Sequence, residues 1–366
     1  MSNNLFIFKI SMIVINFLLF FTFSNELQAA RIINTSAKEA LLIDFDTNRI
    51  LLNKNANVRM SPASMSKLMT IYLAFEALEQ DRIYLDTELI VSEKAWRKKD
   101  KNGKSLSPSG SSMFLEPNTK VKLEDLIRGI IVQSGNDACI VLAENLSGSE
   151  ENFVEEMNKK SKILGLSNTN FQNSTGWPHK DHYMSSLDLA ILAKELYVKF
   201  PQYMYYFAEK KYEYNGISQS NRNPMLHSNL GADGLKTGYT KISGYGLVAS
   251  AIQEGRRLIL VLNGIKSRKN RAVEAEKILG WGFREFENIE LFNTNDIVES
   301  ASVWLGNKPT VRELEVGCPL DAGPSGRRRG QPRSCRWQRK QAYRLPPPPP
   351  TGFWRTSRAS ANVRTS

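Results

Sequence analysis

The sequence predicts a mixed α/β (α+β) fold with helices segregated from strands, and three stretches of patterning carry that prediction. Short apolar runs at 40–44 and 49–52 are split by Asp46-Thr47-Asn48, a strand–turn–strand pattern with supporting turn chemistry. Helical patterns then follow at 68–78, 123–133, 137–146 and 150–164, with another helix starting near Ser185. Strand-like runs at 247–252 and 258–262 come next, and an amphipathic helix at 272–286 closes the unit. Strands, a helical block, then strands and a helix indicate a mixed α/β fold with segregated helices.

The individual elements have their own reasons. The run 68–78 is apolar nearly all round, which predicts a helix buried in the middle of the domain. Residues 105–112 are rich in Ser and Gly and read as a loop. Ser185-Ser186-Leu187-Asp188 has the form of a capping box and starts a helix. The runs 247–252 and 258–262, separated by 253–257, read as a hairpin. There is no internal repeat.

A second, β-rich unit is expected from about Asn288, with strands at 297–305 and 310–314, and it runs only to about Val316. The last fifty residues, 317–366, hold no Ile, one Val, ten Arg and eight of the fifteen Pro. Such a composition cannot bury enough apolar surface to fold, so disorder with a polyproline II stretch at 346–350 is expected. The abrupt change from a Lys/Asn/Ile-rich body matches a frameshifted or fused segment. The other reading, an Arg-rich arm for nucleic acid or an anionic membrane, rests on biased composition alone.

The chain has 366 residues and a formal net charge of +12. Residues 317–366 carry +10 of that, which leaves 38 basic and 36 acidic residues in 1–316. The body therefore needs no polyanionic partner, and no nucleic acid is expected. At the N-terminus, Lys9 precedes a run over 10–23 that is apolar apart from Ser11, Asn16 and Thr22, and Ala29-Ala30 follows. This is a signal peptide over 1–30, too short to span a bilayer comfortably. An uncleaved anchor is the alternative, and either way the body is exported. Three cysteines give no disulfide framework, and Cys139 within an apolar run reads as a small buried hydrophobe.

Three short motifs carry the chemistry. In Ser64-Met65-Ser66-Lys67 the serine stands at the head of the buried helix, and the lysine three residues on shares its face. Desolvation there can lower the lysine pKa from about 10.4 and make it a base. Ser134-Gly135-Asn136 lies between two helical runs and would present a hydroxyl and an amide from a turn. Lys236-Thr237-Gly238 precedes the strand-like run at 246–252; its lysine and threonine can hold a carboxylate, and its glycine permits close approach to the backbone. A second cation at Lys236 would also depress the pKa of Lys67. Each motif alone is weak. Their order is that of the penicillin-binding proteins and class A β-lactamases.

The chain resembles the low-molecular-mass penicillin-binding proteins, the D-alanyl-D-alanine carboxypeptidases of the S11 serine peptidase type, from about residue 40 to 286. Besides the trio, the resemblance rests on 40–44, Pro62-Ala63-Ser64, Lys67-Leu68-Met69-Thr70 and Gly110-Ser111-Ser112-Met113-Phe114-Leu115. It continues through Asn221-Arg222-Asn223, 233–238 and 244–251. It implies a β-lactamase/transpeptidase-like antiparallel sheet flanked by helices, a helical lobe, and an active site in the cleft between them, all within 31–287. It implies further a β-rich domain ending in an amphipathic membrane anchor, hence a periplasmic or cell-envelope protein peripheral to the inner membrane. This chain departs there, because its β module, 288–316, is short and the anchor is replaced by the Arg/Pro tail. Ser66 and Tyr239 are two further departures, at positions where the family usually has Thr and His.

Carried residue by residue, the resemblance implies that Ser64 attacks the penultimate D-Ala carbonyl, Lys67 takes its proton, and Ser134 relays a proton to the leaving D-Ala. Asn136 would hold the substrate amide, and Lys236, Thr237 and Arg271 the terminal carboxylate. The backbone N–H groups of Ser64 and Tyr239, the latter following Gly238, would form the oxyanion hole. The implied partners are peptidoglycan stem peptides and β-lactam antibiotics, with no cofactor. His179 and His182 lack the further ligands of a metal site, and His227 has no nucleophile elbow for a triad. A D,D-endopeptidase with the same motifs and a non-catalytic β-lactam or peptidoglycan sensor are the alternatives. A β-lactamase would need a Glu-x-x-Leu-Asn segment, which the sequence lacks.

Overall fold

The computed structural model describes residues 33–96 and 110–290, together with the backbone of 297–302, 310–315 and 360–363. The expected signal peptide, most of the 105–112 loop and most of the expected disordered tail lie outside the described residues.

The centre is a five-stranded antiparallel sheet. Its strands are β1 (Glu39–Asp44), β2 (Ile50–Lys54), β7 (Ala232–Thr240), β8 (Gly244–Gln253) and β9 (Arg256–Ile265), in the order β2-β1-β9-β8-β7. The first and last strands of the catalytic unit are therefore neighbours, with Leu41 opposite Val261. Strand period two splits the apolar residues between the faces. Leu41, Ile43, Val248, Ile259 and Val261 join the core on one side, and Leu42, Leu247, Ala249, Leu258 and Leu260 join the core on the other. Both faces are covered, so the strands read as continuous apolar runs rather than alternating ones.

The second face is closed by one helix, α6 (Arg268–Glu285), through Ala275, Ile278, Leu279 and Trp281. The first face carries α1 (Lys67–Glu79) and α5 (Ser186–Lys199). Eleven of the thirteen residues of α1 are buried, all but Glu76 and Glu79, as its all-round apolar pattern requires. Glu76 is answered by Lys160 at 2.6 Å. The helical lobe consists of α2 (Leu123–Arg128), α3 (Asn136–Ser147) and α4 (Glu150–Ile163), with the small ladder of β3 (Glu88–Ile90) and β4 (Lys120–Lys122) beneath. Ser149, Ser185 and Ser267 cap α4, α5 and α6 by accepting the N–H of the third residue on, so the expected cap at Ser185 is present.

Three details differ from the sequence reading. The run 123–133 is one helical turn shorter than expected, because 129–133 opens into a π-turn before Ser134. Lys236-Thr237-Gly238 lies within β7 and does not merely precede a strand. Its glycines, Asp and Lys have poor strand propensity; pairing with β8 and packing of Gly238 on the 63–66 turn override it. A hairpin of β5 (Lys211–Tyr214) and β6 (Ile217–Ser220) also went unread, although Asn215-Gly216 at its tip, with φ of 47° and 74°, is its turn signal.

Asp44, at the end of β1, fastens this frame. Thr47 N–H and Oγ donate to its carboxylate, as do Arg256 Nε at 2.7 Å and Asn288 Nδ2. Burial pushes this carboxyl up, but the hydrogen bonds from Thr47 and Arg256 outweigh that and hold it below the usual range. Beyond it, β10 (Glu287–Glu290) pairs with β13 (Ser360–Val363), and β11 (Ile297–Ser302) pairs with β12 (Thr310–Glu315).

Candidate active site

Between Pro62 and Phe75 every residue is buried except Ser64. It sits in a 3-10 turn, Ala63–Ser66, that runs directly into α1, three residues ahead of Lys67. Ala63 takes φ of 49°, a conformation that costs a residue with a Cβ about 1–2 kcal/mol, so the surrounding structure must hold the turn in place. Ser66 Oγ donates back to Ala63 O at 3.0 Å, and Gly176, itself at φ of 79°, lies so close that a Cβ there would stand 2.0 Å from Ala63 O. From β7, Gly238 presses on the same turn: a Cβ there would meet Pro62 O at 2.9 Å and Ala63 Cβ at 3.2 Å. The position a Cβ would take at this glycine is thus filled by protein, which lets β7 close on the serine, while its backbone borders the cavity.

Lys67 is fully buried at the start of α1. Its Nζ lies 3.1 Å from Ser64 Oγ, 2.7 Å from Asn136 Oδ1 and 2.5 Å from Thr175 O. Asn136 Oδ1 and Thr175 O can only accept. A neutral amine has two N–H groups for those acceptors and one lone pair for the Ser64 proton, so the neutral form is fully satisfied here. Burial lowers the pKa of Lys67, and the Arg222 charge lowers it further, against Cys139 and Asp137. The arrangement is that of a general base beside a nucleophile.

A second lysine–serine pair faces the first. Ser134 is left-handed at φ 61°, ψ 33°, directly after the π-turn, and Lys236 Nζ donates to its Oγ at 2.9 Å. Lys236 is lowered well below its ordinary pKa, by burial first and then by the Lys67 charge. Asn136 opens α3, and its N–H donates to Ser111 O at 2.7 Å. The next residue, Asp137, accepts from Ser112 Oγ and from the Met113 and Leu115 N–H groups, which fastens 112–115 beside the motif.

These groups border one cavity of about 390 Å³. Ser64, Ser134, Thr237, Gly238, Tyr239 and Arg271 line it, while Lys67, Asn136 and Lys236 stand behind that wall. All nine residues named from the sequence are therefore brought together. Arg271 is 3% exposed; it donates to Gly246 O and Arg222 O, and its Nε has no partner. Burial and the Arg268 charge bring it down to about 10. Tyr239 is half exposed and stacks on Tyr245, its partner in register, at 4.2 Å.

Five lining residues were given no role from the sequence: Gly110, Ser111, Arg222, Tyr245 and Arg268. The first four lie in segments that carry the family resemblance, which was the available signal. Arg268 precedes Arg271 by one helical turn, and that spacing was the sign that it was more than a solvated charge. Among the described residues no cluster of three metal-ligating side chains occurs. His182 is buried, with Nδ1 accepting from Gln172 N–H, and burial lowers its pKa to about 4.

A profile of the Peptidase_S11 family, D-alanyl-D-alanine carboxypeptidase, matches residues 25–267. The chain belongs to the S11 D-alanyl-D-alanine carboxypeptidase family. It is 39% identical over 294 residues to D-alanyl-D-alanine carboxypeptidase DacC of Escherichia coli (strain K12), covering 80% of this chain and 71% of that one. Among solved structures it resembles penicillin binding protein 5 from Haemophilus influenzae, with a TM-score of 0.72, 38% identity, and coverage of 78% and 81%. Penicillin-Binding Protein D2 from Listeria monocytogenes in its cefotaxime-bound form aligns with a TM-score of 0.61 at 28% identity, over 69% of this chain and 99% of that one. The S11 fold expected from the motifs, an antiparallel sheet with flanking helices and a helical lobe, is the fold observed.

Proposed function

We propose that this S11 enzyme removes the C-terminal D-Ala from peptidoglycan stem peptides through an acyl-enzyme on Ser64. The observation that carries the reading is the pair of buried lysines, each hydrogen-bonded to a serine, on one cavity. Lys67 accepts the Ser64 proton as Oγ bonds to the carbonyl carbon of the penultimate D-Ala. The oxyanion is taken by the N–H groups of Ser64 and Tyr239, which Gly238 lets approach each other. One such donor is worth about 2.7–4 kcal/mol in comparable sites, more than any surface charge pair.

Collapse of the tetrahedral adduct breaks the peptide bond, and Ser134, coupled to Lys236, delivers a proton to the departing amine. Asn136 holds the acyl side, and Lys236, Thr237 and Arg271 hold the leaving carboxylate. Water then hydrolyses the ester. A β-lactam would acylate Ser64 by the same attack, with its ring nitrogen as the tethered leaving group, and the cefotaxime-bound relative supports that extension.

The N-terminal apolar run supports export, with 1–30 as the signal peptide, 31–287 as the catalytic unit in the cell envelope and 288–316 as the start of a β-rich domain. Membrane association would be peripheral, and among the described residues no helix is long and apolar enough to cross a bilayer.

The test is to incubate the protein with diacetyl-Lys-D-Ala-D-Ala and, separately, with a fluorescent penicillin. The expected result is D-Ala release and stable labelling, both lost in Ser64→Ala. Labelling without D-Ala release would refute carboxypeptidase activity and favour a sensor or an endopeptidase.

A further inference from the structure

We infer that the cavity holds a second anion subsite, formed by Arg222 and Arg268 beside the terminal-carboxylate position, and that at the C-terminal residue the enzyme accepts an acidic side chain better than a neutral one of the same size or a basic one. This rests on the carboxypeptidase reading and names its substrate preference.

The cavity wall contains three guanidinium groups, from Arg222, Arg268 and Arg271, and no Asp or Glu lines it. None of the three has a carboxylate partner among the described residues. Arg271 spends two of its nitrogens on the Gly246 and Arg222 carbonyls, and its Nε remains unpartnered although the residue is 97% buried, being 3% exposed. A buried cation without a counter-ion costs stability unless a ligand supplies one.

The geometry separates two positions. Arg271 lies deep, and with Thr237 on the same cavity wall and Lys236 behind it there are donors enough for the two oxygens of one carboxylate. Arg222 and Arg268 are more exposed and form the rim. Arg222 is fixed twice, because its backbone carbonyl accepts from Arg271 and its guanidinium donates to Ser111 Oγ. Arg268 stands one turn before Arg271 on α6. Burial and the charge of Arg268 both lower Arg222, so these two cations repel one another. An anion reaching from the leaving residue would relieve that repulsion at the rim. The side chain of the C-terminal residue branches from the carbon that bears the terminal carboxylate, so a carboxylate held at Arg271 brings that side chain to the same cavity wall as Arg222 and Arg268.

The measurement is kcat/KM for diacetyl-Lys-D-Ala-D-Xaa, with Xaa as D-Ala, D-Gln, D-Glu or D-Lys, at constant ionic strength. D-Glu should exceed the isosteric D-Gln by about fivefold, the scale of one exposed charge pair, and D-Lys should be the poorest. In the Arg222→Gln/Arg268→Gln double variant the D-Glu to D-Gln ratio should fall to about one, its value without a charge pair. Moving the acid to the N-terminal side, in diacetyl-Lys replaced by acetyl-Glu, should confer no comparable gain. A ratio of one in the unmodified enzyme, a ratio unchanged in the double variant, or an equal gain from the N-terminal acid would each overturn the subsite. In all three of those cases D-Ala would still be released from the D-Ala-D-Ala peptide; its absence would refute the parent reading instead.

Discussion

Lys236, on the edge strand of the sheet, donates to Ser134 Oγ at 2.9 Å across 102 residues of chain. The strand and the helical lobe thus meet at a hydrogen bond, and in the proposed mechanism Ser134 is the hydroxyl that supplies the departing amine with its proton. Ser134→Ala and Lys236→Ala should each slow acylation by a fluorescent penicillin about 10²–10³-fold, as for other proton-transfer groups. Because they act as one unit, the double variant should cost little more than either alone. Multiplicative losses in stopped-flow acylation rates would show that the two groups act separately.

Arg222 lowers the pKa of both buried lysines by its charge. Lys67 works as a base only when neutral, so the ascending limb of kcat/KM marks its loss of a proton. Removing the cation in Arg222→Ala raises that pKa and must move the limb to higher pH. A pH–rate profile measured with the D-Ala-D-Ala peptide checks the sign; a limb that stays in place would mean that Arg222 lies too far from Lys67 to matter.

Gly238→Ala places a methyl 2.9 Å from Pro62 O, a backbone atom of the strained turn that carries Ser64. Either β7 or the turn must retreat. We expect penicillin acylation to fall by at least about 10²-fold, the cost of losing one oxyanion donor. Thermal melting should show that the protein still folds, since the clash is confined to the edge strand. Normal labelling kinetics in the folded variant would mean that the turn adapts freely.

His182 is kept neutral in the folded protein, first by burial and then by the charges of His179 and Lys67, with a pKa of about 4. In the unfolded chain it titrates near 6.5. The unfolded state therefore binds the extra proton between those values, and stability is full above pH 6.5 and lost as pH falls towards 4. The full term is at most about 3 kcal/mol. His182→Asn preserves an acceptor for Gln172 N–H and cannot titrate. Its melting temperature should fall less than that of the unmodified protein between pH 7 and 4.5, and parallel curves would remove His182 from the acid sensitivity.

Much of the catalytic unit was legible without coordinates. The Leu41–Ile43 run, the 247–262 hairpin and α1 are apolar because both faces of one sheet and all sides of one helix are buried, and burial writes itself into composition. The edge strand β7 was not legible, since the residues that make it useful, Lys236 and Gly238, are poor strand formers held there by β8 and the 63–66 turn. The π-turn at 129–133 was equally hidden, because all five of its residues are buried and leave no polar face from which a change of helical period could be read.

By itself the sequence determined the fold class, the membership in the S11 family and the three motifs at 64–67, 134–136 and 236–238, because local patterning and motif order survive in one dimension. Only the tertiary structure decided that Lys236 serves Ser134, that Gly238 packs on the nucleophile turn, and that Arg222, Arg268 and Arg271 share one cavity wall. Those facts depend on contacts between residues far apart in the chain, and on the shifts in charge that burial imposes once they meet.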